Sequence, residues 1–173
     1  TLGETAGDAL SMSLNLGYII SSGIFLVLFA IFVSLQIKAK QYHPYLYWLT
    51  IITTTTLGTT IADFVDRSLG LGYFGGSLIL LSLLLSSLAV WYYSEHTLSV
   101  ENIQTAKSEI FYWVTIMFSQ TLGTALGDWV ADTQGLGYLY SAIIFGSILF
   151  ILTLCYFWTK ISHTFLFWSA FIL

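Results

Sequence analysis

Uncharged apolar runs alternate with short polar stretches along the chain, and their lengths set the expected elements. Leu10 to Ile37, Leu69 to Tyr93 and Gly135 to Thr159 carry no charged residue. Each is longer than the roughly 20 apolar residues with which a helix spans a bilayer. Two less apolar runs lie between them, rich in threonine and glycine towards their ends. The pattern predicts spans over 14–37, 45–64, 69–93, 110–130 and 135–159. It adds the end of a helix at 1–8 and the start of another at 165–173. Pro44 suits the first turn of the second span. Asp66-Arg67-Ser68 and the stretch from Asp132 to Gln134 read as turns, and Ser94 to Lys107 is the longest polar connection.

The runs are copies of one another. Thr56-Leu57-Gly58-Thr59-Thr60-Ile61-Ala62-Asp63 recurs as Thr121-Leu122-Gly123-Thr124-Ala125-Leu126-Gly127-Asp128, and the chain opens on Thr1-Leu2-Gly3-Glu4-Thr5-Ala6-Gly7-Asp8. Ten residues after each aspartate comes a tyrosine, in Leu16-Gly17-Tyr18, Leu71-Gly72-Tyr73 and Leu136-Gly137-Tyr138. A phrase that recurs with its spacing intact marks a tandem repeat. Each repeat is a pair of helices, so successive copies enter the membrane in the same direction, as parallel repeats. The fold class expected is all-α, a polytopic transmembrane bundle of two-helix repeats with pseudo-rotational symmetry about the membrane normal. It forms one domain over 1–173: the second part of a first repeat (1–40), repeats at 41–95 and 108–160, and the start of a fourth (161–173). Trp48 and Trp113 each stand eight residues before a phrase, so Trp168 predicts a fourth phrase at position 176. The chain is accordingly expected to be truncated at both ends.

Composition narrows the function classes. Of the 173 residues 57% are hydrophobic and only 8% charged, against about 25% charged in an ordinary soluble domain. No basic block suggests nucleic-acid binding. Cys155 stands alone in an apolar run, which excludes a disulfide framework and reads as a small buried hydrophobe. No nucleophile, phosphate-loop or zinc-helix pattern appears, so no enzyme is expected. Lys38, Lys40, Lys107 and Lys160 fall on one side of the predicted membrane and Arg67 on the other. Lysine-bearing short loops stay in the cytoplasm, so the aspartate turns are expected to face the periplasm or exterior. Trp48, Trp113, Trp91 and Trp158 fall near span ends and read as interfacial anchors.

The phrase joins two physical features. Gly3 and Gly7, Gly58 and Ala62, and Gly123 and Gly127 are each four apart, which places small residues on one helix face and lets backbones approach. Beside that face stand Asp8, Asp63 and Asp128, with the hydroxyls of Thr5, Thr59, Thr60 and Thr124. Ionisable groups at membrane depth are costly and mark pathways, partners or relays. Solvated helix ends and glycine packing would leave the same pattern with no substrate at all. If the aspartates converge, their hard oxygen donors suit manganese, magnesium or calcium. Glu4 stands where Thr59 and Thr124 stand in the other copies, one helical turn from Asp8, and the two make the best candidate cation and proton pair. Asp66, Asp132 and Arg67 are second-tier, read as a solvated turn with Arg67 pairing Asp63 or Asp66. His43, His96 and His163 lie near the opposite face and read as loop residues. The threonines from Thr53 to Thr56 read as bonding back to their own helix.

Across the three phrases, Tyr47-Trp48, Tyr112-Trp113 and Leu166 to Leu173, the chain resembles a bacterial family of integral membrane proteins built from four tandem two-helix repeats of unknown function. The resemblance implies a fourth phrase with its own aspartate, and no activity. Glu4-Thr5-Ala6-Gly7-Asp8 is also similar in chemistry to the Glu-x-Gly-Asp motif of cation/proton exchangers for manganese and calcium. It has one residue more, which turns the glutamate by about 100° on a helix. The functional expectation is a transporter of a small divalent cation in the bacterial inner membrane, an exporter or a metal/proton exchanger. Its partners are the lipid bilayer and the cation, and an oligomer is compatible with the sequence. The alternatives are a scaffold or sensor subunit in which the phrase only packs helices, and an organic-solute transporter.

Overall fold

The apolar and the threonine-rich runs both fold as helix. The computed structural model describes residues 2–39, 42–100, 103, 105–133 and 137–173. Thr1, Lys40, Gln134, Gly135 and Leu136, which figure in the reading above, lie outside them. Seven α-helices are described: α1 (Leu2–Asp8), α2 (Gly17–Lys38), α3 (Pro44–Asp63), α4 (Gly72–Glu95), α5 (Ala106–Asp128), α6 (Gly137–Trp158) and α7 (His163–Ile172). Pro44 does open α3. Thr105 caps α5, its side chain accepting from the Ser108 backbone N–H, which satisfies one of the free donors at a helix start.

The expected turns after the aspartates are helical. Each phrase helix widens into a five-residue π-helical turn, Ala9–Ser13, Phe64–Ser68 and Trp129–Thr133. The turn falls at the same place in every repeat. Such wide turns are uncommon and cluster at functional sites. Beyond them Gly17, Gly72 and Gly137 take φ of 74°, 67° and 73°. This left-handed backbone costs glycine nothing, and it swings the chain back into the next long helix.

The phrase helices stand side by side and parallel. A Cβ at Gly3 would meet the Thr56 amide nitrogen at 3.0 Å, and one at Gly7 would meet Thr60 Cγ2 at 3.1 Å. Both partners advance by four, so α1 and α3 run the same way. Gly58 meets the Thr121 amide nitrogen at 3.0 Å, the same contact one repeat later between α3 and α5. Ala62 and Ala125 are buried together at that seam. Small residues thus do what the phrase predicted, letting parallel backbones approach. Gly123 and Gly127 are only half-buried and face a groove.

The apolar helices turn back along this row. Ser87 lies 3.2 Å from Thr115, Trp91 stacks on Phe111, and Lys107 pairs with Glu95 at 3.4 Å. These pairs converge from both ends of the chain, so α4 and α5 form an antiparallel hairpin. Three helices, α2, α4 and α6, are long and apolar enough to cross a membrane, and most of their residues lie on the outside. The more polar α3 packs between α1, α2 and α5. Its hydroxyls are satisfied locally: Thr50, Thr53, Thr54, Thr55, Thr56 and Thr59 each donate to the carbonyl four residues back.

Two of the four expected interfacial tryptophans are instead core residues. Trp48 and Trp158 are exposed, whereas Trp91 and Trp113 are almost wholly buried with Leu57, Ile116 and Trp168. Trp113 sits one repeat on from Trp48 and is covered by Tyr47, its ring 5.7 Å away. Cys155 is half-buried on α6.

Candidate functional site

The contact between α3 and α5 brings equivalent positions of two repeats face to face. Near the lysine-bearing ends the Tyr47 and Tyr112 hydroxyls are 3.4 Å apart. Two turns on, the Thr55 hydroxyl lies 3.2 Å from the Gln120 side-chain oxygen. One turn further, Thr59 and Thr124 line a common groove, and another turn brings Asp63 and Asp128. These residues are spaced by four or eight along each helix, which keeps them on one face. The result is a line of oxygen-bearing side chains along an otherwise apolar seam.

Arg67 closes the acidic end. Its Nε lies 3.1 Å from Asp63 Oδ1, one turn back on the same helical path, and Nη2 lies 4.0 Å from Asp128 Oδ2. Nη1 donates to the Tyr18 hydroxyl at 3.3 Å. One guanidinium therefore links side chains from all three repeats. The expected partner Asp63 is found; Asp66 is not a salt-bridge partner of Arg67. The charges of Asp128, Asp8 and Glu4 also act on Asp63, so the four expected carboxylates do gather at one end of the bundle. They do not gather equally: Asp63 is buried, Asp8 and Asp128 are half-buried and Glu4 is exposed. Among the described residues no three acidic, histidine or cysteine side chains stand close enough to make a ready ligand set.

The groove beside this cluster holds about 320 Å³. Its lining includes Glu4, Thr59 and Thr124, which occupy one and the same phrase position in three successive repeats, together with Asp128 and Thr55. Glu4 thus shares a cavity with Asp128 rather than with Asp8, the partner that spacing suggested. Tyr138, Ser141 and Phe145 form the α6 wall.

The two second-tier aspartates separate. Asp132 is exposed and accepts from the Tyr73 hydroxyl at 3.0 Å, as a solvated turn residue would. Asp66 is not solvated: it is 6% exposed, and neither carboxylate oxygen has a hydrogen-bond partner among the described residues. The Asp66 carboxyl lies against α4 at Gly76, in space that a side chain there would fill. Burial lifts its carboxyl from the ordinary 3.8 to about 6, with Asp128 and Asp63 adding to the rise and Arg67 opposing it.

A family model described as Repeat of Unknown Function (DUF347) matches residues 1–42, 46–97 and 111–162. The chain belongs to this family. Each of the three matched DUF347 copies contains one aspartate phrase, its π-helical turn and the apolar helix that follows. No curated protein matches the chain, and no solved structure does. Thr55, Gln120, Gly76 and the repeat tyrosines Tyr18, Tyr73 and Tyr138 were not among the expected site residues. The first two had a signal, a polar residue one helical turn before Thr59 and Thr124 on the same face.

Proposed function

We propose that this DUF347 chain is a membrane transporter of a small divalent cation, an exporter or a cation/proton exchanger. The observation that carries the reading is the groove in which Glu4, Thr59 and Thr124 meet Asp128. Three repeats contribute one position each to a cavity whose polar groups are carboxylate and hydroxyl oxygens. Such donors favour manganese, magnesium or calcium over softer metals. The volume leaves room for an ion that keeps part of its water, as magnesium usually does. Arg67 supports the reading from another side, since a positive charge already rests between Asp63 and Asp128. The line of hydroxyls from Tyr47 and Tyr112 to Thr59 and Thr124 supplies oxygens along the seam on which a hydrated ion would travel. With the lysine-bearing ends in the cytoplasm, the groove opens to the outside of a bacterial inner membrane.

The close glycine contacts favour a second reading, a scaffold in which the phrase only packs helices. Thermal unfolding of the purified protein separates the two. A ligand bound only by the folded state raises the midpoint with concentration. Manganese, magnesium or calcium is expected to raise it, and Asp128→Asn to abolish the rise while the protein still folds. The matching flux of that ion into proteoliposomes should disappear with it. No rise with any of these ions or with zinc overturns the transport reading in favour of the scaffold.

A further inference from the structure

The second π-helical turn differs from its two counterparts at a pair of touching positions. Position 66 is Asp, where the first and third repeats have Ser11 and Ala131, both buried. Position 76 is Gly, where the other repeats have Ser21 and Ser141, also buried. A methyl group built on Gly76 would overlap Asp66 Oδ1. The larger acid and the missing side chain therefore belong together: the second repeat has emptied one position to admit a carboxyl at the other.

That carboxyl has been given space and no partner. Both oxygens are buried and accept no hydrogen bond from the described residues. On its own path, Arg67 is directed to Asp63, Asp128 and the Tyr18 hydroxyl of α2. On α4, Tyr73 donates to Asp132, and Asp63 and Asp128 present further negative charge. An ionised carboxylate buried without a partner is strongly disfavoured and takes up a proton instead. We propose that Asp66 is a proton-binding carboxyl, housed in its neutral form against the bare backbone of Gly76. The proton comes from water at the acidic end of the bundle and returns to it, with no other bond made or broken. Ionisation expels the carboxylate from the Gly76 face towards Arg67, its sequence neighbour. There it competes with Asp63 and Asp128 for the one guanidinium. The inference does not depend on what the protein transports.

Infrared difference spectra of the protein in lipid nanodiscs, taken between pH 4 and 8, test it. A neutral carboxyl C=O band is expected to disappear with a midpoint near 6, to lose intensity in Asp66→Asn and to keep it in Asp132→Asn. Gly76→Ser, which denies the carboxyl its space, should return the Asp66 titration to the ordinary carboxylate range without removing it. This second variant decides the matter if Asp66→Asn does not fold. A band near 6 whose intensity is undiminished in Asp66→Asn, or that is wholly unmoved by Gly76→Ser, overturns the assignment. So does a wild-type protein in which no carboxyl titrates above the ordinary range.

Discussion

Gly58 lies so close to the Thr121 amide that a Cβ would stand 3.0 Å from that nitrogen, and Gly3 stands in the same relation to Thr56. The first two phrases thus each present a glycine to the threonine that begins the next. Gly58→Leu is expected to destabilise the protein by about 1–3 kcal/mol, the usual consequence of forcing carbons into a closed contact. Gly123 is the control, since the nearest atom to its Cβ position is 4.0 Å away. Gly123→Ala should be neutral or stabilising by up to about 1 kcal/mol, because alanine is the better helix former. Thermal unfolding of the variants in one detergent reads both.

The Asp66 and Gly76 pair predicts a non-additive exchange. Gly76→Ser alone should cost about 1–3 kcal/mol by crowding the carboxyl. Combined with Asp66→Ser it recreates the pairing of Ser11 with Ser21, and most of that loss should be recovered. A coupling of about 1 kcal/mol or more in the double-mutant cycle is expected. Additive losses would show that the two positions do not share their space.

Removing the shared guanidinium should cost more than removing one of its partners. Arg67→Gln leaves Asp63, only 5% exposed, without its counter-charge. The expected loss is about 2 kcal/mol, below the full penalty for breaking a buried pair because Arg67 itself is partly solvated. Adding Asp63→Asn should restore much of it. Unfolding midpoints at low salt measure the cycle.

Stability should depend on pH with an unusual sign. The Asp66 carboxyl is raised from 3.8 to about 6 in the fold, by burial first and by Asp128 and Asp63 after it. Between these values the native state binds more protons than the unfolded chain, so stability falls as pH increases. The contribution is complete below about 3.8 and is lost as pH rises through about 6. Midpoints followed from pH 4 to 7 should show this decline, and Asp66→Asn should make it shallower.

The helices, the repeat and the glycine seams were legible because each is written in local spacing. Small residues four apart let helices approach along that face, as Gly3, Gly7 and Gly58 do, and three of the five expected spans, helices of 22 to 24 residues, are long and apolar enough to cross a membrane. The threonine run was legible for a similar reason, since hydroxyls on a helix find the preceding turn. The burial of Asp66 was not. An acid and an arginine side by side after a helix read as a wet turn, and an α-helical and a π-helical turn have the same composition. What decides the matter is Gly76, ten residues later on another helix. The burial of Trp113 was hidden likewise, because Tyr47, which covers it, is supplied by the neighbouring repeat. Glu4 was legible as the odd member of its position, but its cavity partner Asp128 comes from two repeats away.

The glycine-to-threonine seam also has a handedness of use. It joins unlike surfaces, a front on one copy and a back on the next, so every repeat offers the same front to whatever follows. Contacts of this head-to-tail kind either return to their starting point or wind on without end. The turn made at the step from Gly3 to Thr56, repeated at Gly58 and Thr121, therefore sets how each phrase helix is placed on the one before it. A mutation that alters the angle at one seam, leaving its strength unchanged, would re-aim the helices beyond it.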